Sequence, residues 1–160
     1  RLMRNHGLIN RNTCVEFAYN SRLDTIQAVV AKYFIENKLY NITSSRIANA
    51  LKLDSLLKEV PQISLLKRDR DLKEVFHLYI FKAENRDALY KHLRNNGIDA
   101  KVHYPVPMHL QPAAKYLGHF EGDFPMAEVY AKNTISLPVH EFINIEQIEK
   151  MSFAIKDFYS

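Results

Sequence analysis

Cysteine and glycine are scarce in this chain. The single cysteine, Cys14, excludes an internal disulfide framework and suits a reducing compartment. No nucleophile signature surrounds it, so it reads as a small packing residue. The four glycines, Gly7, Gly97, Gly118 and Gly122, fall where loops or element ends are expected. No apolar run approaches the roughly 18 residues that a membrane-spanning helix needs. Arg1 to Gly7 is too polar for a secretory leader. Low-complexity tracts, internal repeats and an obvious linker are missing as well. His77, His103 and His109 raise the idea of a metal centre, but no His, Cys or carboxylate spacing matches a ligand pattern.

What remains is an ordinary globular composition. The chain has 160 residues, 47% of them hydrophobic and 25% charged, enough for one domain with a core. Its net charge is +4 and its isoelectric point is near 9.1. Lys and Arg are dispersed among acids, which argues against a nucleic-acid face. The densest cluster, Lys67-Arg68-Asp69-Arg70-Asp71-Leu72-Lys73, alternates in sign and reads as a solvated turn. A mildly basic surface suits an anionic ligand such as a phosphate or a nucleotide sugar.

Periodicity predicts a helix from Leu23 to about Lys58, with Leu23, Ile26, Gln27, Val30, Phe34 and Ile35 at three- and four-residue steps. Asn37 and Asn41 predict a break near Glu36–Tyr40, and Pro61 stops the second helical run. Val75 to Phe81 is a short apolar run rich in aromatic and β-branched residues, expected as a buried strand. Asn85 is expected to cap a helix through Ala88, Leu89 and Leu93, closed by Asn96-Gly97. Further strands are expected at Ile98–Val102 and Thr134–Leu137, then a helix from about Ile145 to Phe158. The fold class is α/β, close to α+β. Long lead-in helices precede a small sheet of three or four strands, with helices on one face. The stretch from Tyr104 to Asp123 is long for a loop in a compact domain, and its rings and prolines argue for function.

Two constellations stand out. Tyr19-Asn20-Ser21-Arg22 precedes the first helix. Asn20 or Ser21 could cap that helix. Alternatively, the amide of Asn20 and the guanidinium of Arg22 could complete a phosphate cradle at the helix start. His103-Tyr104-Pro105-Val106-Pro107-Met108-His109 is stiffened by two prolines. It is either a rigid connector whose rings pack on the core or a preorganised binding segment. His77 and His140 read as structural or surface residues.

The segment Ala18-Tyr19-Asn20-Ser21-Arg22-Leu23-Asp24 resembles the Gly-Tyr-Asn-Ser-Arg-Leu-Asp segment of the DegT/DnrJ/EryC1/StrS nucleotide-sugar aminotransferases, with Ala18 where Gly is usual. Arg4-Asn5-His6-Gly7 resembles the family's Arg-x-His-Gly turn, and His103 to Pro112 resembles its His-Tyr-Pro-x-Pro-x-His-x-Gln-Pro loop. Tyr116-Leu117-Gly118, Gly122-Asp123-Phe124-Pro125-Met126-Ala127-Glu128 and Ile135-Ser136-Leu137-Pro138-Val139 resemble further family segments in the same order.

The resemblance implies the C-terminal part of a fold type I aminotransferase that uses pyridoxal 5'-phosphate. Residues 1–22 would be the junction with the large domain, 23–60 connecting helices, and 61–160 the small α/β domain. Asn20 would reach the cofactor phosphate of the neighbouring subunit in a homodimer with shared active sites. Arg22 would hold that segment or balance the phosphate charge. His103 and Tyr104 would face the sugar. His109 joins them on the substrate side or, with Gln111, shapes the loop. The substrate would be a dTDP-, UDP- or GDP-linked keto-sugar, the amino donor glutamate, and the compartment the cytoplasm, with neither nucleic acid nor membrane as partner. The family's Schiff-base lysine would lie ahead of Arg1, and no lysine within the chain takes its place. The isolated chain is therefore expected to be inactive. The alternative is a non-catalytic binding or dimerisation module that kept the fold.

Overall fold

The structure is a computed structural model that describes residues 2–10, 12–69 and 71–160. Arg70, within the charged turn, and Arg1, at the start of the junction segment, lie outside the described residues. The chain divides into two compact units, Arg1–Tyr40 and Asn41–Ser160.

The first unit opens with a short hairpin. Strand β1 (Leu8–Asn10) pairs antiparallel with β2 (Thr13–Cys14), with Leu8 opposite Cys14. Gly7 precedes it at φ +67, and a Cβ there would sit 1.7 Å from the carbonyl oxygen of Glu16. Only glycine fits that approach. Helix α1 (Thr25–Asn37) follows. Its cap is Asp24, whose Oδ1 accepts the Ile26 N–H at 2.9 Å. The expectation that Asn20 or Ser21 caps the helix is thereby corrected: the carboxylate adjoining Thr25 reaches the orphan N–H two residues on. The helix breaks at Lys38, inside the expected interval, and α2 (Leu39–Leu57) begins at once.

The second unit is built on a three-stranded antiparallel sheet, β3 (Ile63–Leu65), β4 (Tyr79–Ala83) and β5 (Thr134–Leu137), in that spatial order. Phe81 pairs with Leu65 on one side and Ile135 on the other. β4 alternates, with Tyr79, Phe81 and Ala83 buried while Ile80 and Lys82 are partly exposed. Three helices share one core with those buried residues: α2 through Ala50, Leu53 and Leu57, α3 (Arg86–Asn95) through Leu89 and Leu93, and α5 (Ile145–Tyr159) through Ile148, Met151 and Ile155. Each fully buried Leu or Ile contributes about 1.5–3 kcal/mol of transfer free energy. Asn144 and Gln147 form a reciprocal capping box at the start of α5. Helix α4 (Pro125–Asn133) runs directly into β5, and Lys82 places its Nζ 5.1 Å from the centre of the Tyr130 ring on α4.

Four local expectations are revised. The strand expected at Val75–Phe81 starts at Tyr79, because Phe76 takes φ 51 and Arg46 Nη1 donates to the carbonyls of Phe76 (3.2 Å) and His77 (3.3 Å). Ile98–Val102 is not a strand. Only Lys101 bridges β5, exchanging two hydrogen bonds with Ser136, while the Ala100 N–H turns back to Ile98 O at 2.8 Å. β3 was not foreseen, since three residues are too few to show a period. Asn85 does occupy the N-cap of α3, but in left-handed geometry (φ 49, ψ 39) and without a side-chain cap bond. Asn tolerates that region better than most residues.

The charged turn is also less solvated than its composition suggests. The Arg68 side chain is about a quarter exposed, pairs with Asp54 and with Glu74 at 2.9 Å, and stacks 4.8 Å from the Phe76 ring centre. Tyr79 donates its hydroxyl to Asp54 at 2.7 Å. Burial, then this bond to a carboxylate, push the phenol well above its ordinary value. Among the described residues, no helix is long and apolar enough to cross a membrane.

Candidate functional site

In the first unit, two motifs read separately from the sequence turn out to be one backbone structure. Asn5 and Asn20 form an antiparallel bridge, the His6 N–H donates to Tyr19 O at 3.1 Å, and the Ser21 N–H donates to Arg4 O at 2.8 Å. The Arg4–Gly7 turn thus holds Tyr19–Ser21 in place. Positive φ among the described non-glycine residues occurs at His6, Phe76 and Asn85, so Ala18 stands in the place of Gly without left-handed strain.

Arg22 Nε donates to Asn20 Oδ1 at 3.1 Å, and both residues are exposed. With its oxygen accepting from Arg22, Asn20 keeps its amide N–H₂ as the donor end. Amide and guanidinium together make a donor set suited to phosphate oxygens. Because Asp24 caps α1, this pair is not consumed by the helix. The residues present therefore fit the phosphate of pyridoxal phosphate.

In the second unit, His103 is half-buried, with Nδ1 3.1 Å from Ser136 Oγ on β5. Tyr104 is exposed, its ring edge-on to His103 at 5.6 Å. Beside His103 lies a pocket of about 190 Å³ whose walls include Arg46, His77, Lys101, Ser136 and His140. His77 and His140 come from distant parts of the chain, and no local spacing links them to His103. The sequence predicts structural or surface residues there, and only the strand pairing brings them to one pocket. The cations of this pocket already have partners: Arg46 Nη2 lies 3.4 Å from Glu141, and Lys101 Nζ lies 3.2 Å from Asp99, which also pairs with Arg94. Lys101, then Arg94, hold the Asp99 carboxyl below its ordinary range.

His109 faces the other way. Its side chain is almost fully buried, with Nε2 3.0 Å from Glu128 Oε1 and the ring 4.8 Å from that of Phe124. The structure thus brings His103 and Tyr104 together and places His109 against α4. Gln111 Nε2 donates to Val106 O at 3.2 Å, closing the proline-rich turn. Glu128 carried no sequence signal beyond its place in a family-like segment. Among the described residues, no group of His, Cys, Asp and Glu is arranged to hold a metal ion.

A sequence model of the DegT/DnrJ/EryC1/StrS aminotransferase family matches residues 1–156. The chain belongs to this family. It is 33% identical over 156 residues to the erythromycin biosynthesis sensory transduction protein EryC1 of Saccharopolyspora erythraea, covering 98% of this chain and 42% of that protein. It is 34% identical over 158 residues to the dTDP-3-amino-3,4,6-trideoxy-alpha-D-glucose transaminase of Streptomyces venezuelae, covering 99% of this chain and 41% of that one. In three dimensions it superposes on the crystal structure of S. venezuelae DesV in complex with a ketimine intermediate, with a TM-score of 0.92 at 34% identity. That match covers 100% of this chain and 43% of the other. The family member thus spans well under half the length of these relatives, and its fold is that of the solved sugar aminotransferases.

Proposed function

We propose that this chain is the C-terminal portion of a pyridoxal-phosphate-dependent aminotransferase. The enzyme would move an amino group from glutamate to a keto carbon of a nucleotide-linked sugar, for amino-sugar and surface-polysaccharide biosynthesis. The observation that carries the reading is the exposed Asn20–Arg22 donor pair, held by the Arg4–Gly7 turn and left unused by the helix cap. Relatives named as transaminases of dTDP-linked and UDP-linked amino sugars support the substrate class.

When bound, pyridoxal phosphate supplies the electron sink that amino transfer requires. Asn20 would hold the cofactor phosphate through its amide N–H, at the neighbouring subunit's site of a homodimer. Arg22, hydrogen-bonded to Asn20, would hold that segment or balance the phosphate charge. His103, its ring fixed by Ser136, and Tyr104 position the sugar. His109 shapes the loop that carries them. The lysine that holds the cofactor lies outside these 160 residues, so the chain alone does not turn over substrate. The single Cys14, exposed rather than packed as its sequence context suggests, fits a cytoplasmic setting.

The test is an absorbance titration of pyridoxal phosphate into the protein encoded by the complete reading frame, wild type against Asn20→Ala, followed by glutamate. A visible-edge band that disappears on adding glutamate, with weaker cofactor binding in the variant, is the expected result. No band at all would overturn the aminotransferase reading in favour of a non-catalytic module. A band with equal affinity in Asn20→Ala would overturn the role of Asn20.

A further inference from the structure

The loop from Tyr104 to Asp123 is built inside out. Tyr104, Met108, Tyr116 and Phe120 are 72–85% exposed, whereas the side chain of the polar His109 is almost fully buried. Apolar packing therefore does little to hold this loop, and polar attachments must define its shape.

Two such attachments are sheltered from solvent, and both lie on the continuous α4–β5 segment; a third, the Lys132–Glu121 pair, is exposed and contributes little. Ser136 takes the near end, by its hydroxyl contact to His103 and its two backbone bonds to Lys101. Glu128 takes the rest. Its Oε1 lies 3.0 Å from His109 Nε2 and accepts the N–H groups of Gly122 at 2.8 Å and Phe124 at 3.4 Å. One carboxylate oxygen thus ties the middle of the loop to its far end, beneath the Phe124 ring that covers His109. Between them the chain runs through short turns at Met108–Leu110 and Pro112–Leu117, with Asp123 Oδ2 accepting the Phe120 N–H at 3.0 Å.

We propose that Glu128 is a positioning residue: it fastens the loop that follows the His103–Tyr104 pair, from His109 to Phe124, and so fixes the loop's course beside that pair. The role assigned to that pair rests on the aminotransferase reading; the fastening itself does not. Three acceptor contacts converge on a side chain that is about nine-tenths buried, so removing it leaves the His109 ring and two backbone N–H groups without their acceptor. Ser136 is then the remaining sheltered restraint, at one end only, beside the exposed Lys132–Glu121 pair.

The experiment is amide hydrogen exchange on the 160-residue chain in four forms: wild type, Glu128→Ala, Glu128→Gln and the control Glu121→Gln, which touches only the exposed Lys132–Glu121 pair. In Glu128→Ala, amides of residues 106–122 are expected to exchange about tenfold faster or more, with β4 and β5 unchanged. Glu128→Gln, which keeps an oxygen for Gly122 and Phe124, restores most of the protection, and Glu121→Gln matches wild type. An unchanged loop in Glu128→Ala, or an equal rise across β4, β5 and α5, would overturn the proposal. A titration of the protein encoded by the complete reading frame with dTDP-glucose, read by NMR at His103 and Tyr104, separates the two ideas. No shifts there, together with a loop that loosens in Glu128→Ala, would sink the sugar-binding role and leave the fastening intact.

Discussion

Helices α1 and α5 have similar lengths and opposite fates. α5 buries Ile148, Met151, Ser152, Ala154 and Ile155 along one side, with Glu146, Glu149, Lys150 and Lys156 on exposed positions. α1 carries Ile26, Val29, Val30, Tyr33, Phe34 and Ile35, and buries none of its residues. The difference does not lie in the pattern. Ile26, Val29, Val30, Tyr33 and Phe34 share one face at three- and four-residue steps, as the buried residues of α5 do, yet all five are exposed whereas those of α5 are covered by the sheet and the other helices of their own unit. Hydrophobic content alone thus does not make a core. The second unit has the complementary sheet and helices, and the first has a hairpin and a turn held by backbone hydrogen bonds.

The sharpest test of this contrast pairs two substitutions of the same kind. Phe81→Ala, in the middle of β4, should cost about 3–5 kcal/mol. Phe34→Ala, on exposed α1, should change stability by less than about 0.5 kcal/mol. Urea denaturation of the chain, followed by far-UV circular dichroism, measures both. Equal losses would mean that α1 is buried in solution and would break the comparison.

A smaller effect is expected from Gly7→Ala. The new Cβ would collide with Glu16 O, and Ala would have to adopt φ +67, a combined strain of about 1–3 kcal/mol. The backbone bonds between Arg4 and Ser21 and between His6 and Tyr19 should open, read as faster amide exchange at His6 and Ser21. The unfolding midpoint of the second unit should not move. A drop in that midpoint would show that the two units melt together.

The legible parts of the molecule were those governed by local rules. The break near Lys38, the start of α5 at Ile145, the stop before Pro61 and strand Thr134–Leu137 follow from spacing and local turn chemistry. The parts that misled were decided by distant partners. Arg46 takes the carbonyls that would have extended β4 backwards through His77. Arg68 folds onto Asp54 and Phe76 rather than into solvent. His77 and His140 line one pocket with His103 only because β4 and β5 pair. The candidate site divides in the same way. Asn20, Arg22, His103 and Tyr104 could be singled out from contiguous motifs, whereas Glu128, nineteen residues beyond His109, has a role visible only once the loop is closed.

That closed loop gives the smallest of the expected effects, a dependence on acid. The Gly122 N–H first, and then His109 and the Phe124 N–H, hold the Glu128 carboxyl below its ordinary value of 4.5. The Phe120 N–H, then His119, do the same for Asp123, whose ordinary value is 3.8. A carboxyl held down in the folded state stabilises that state above the unfolded value and loses the contribution as pH falls through the folded one. The loop should therefore keep its full protection at pH 6 and above. It should begin to loosen once the pH drops below 4.5, while the apolar core around Phe81 and Leu53 stays closed. Protection of residues 106–122, corrected for intrinsic exchange and compared with that of β4 between pH 6 and pH 3, measures the difference. A loop that tightens in acid would contradict the sign. Parallel losses in loop and sheet would show that the loop has no stability of its own to lose, and that the second unit opens as one body.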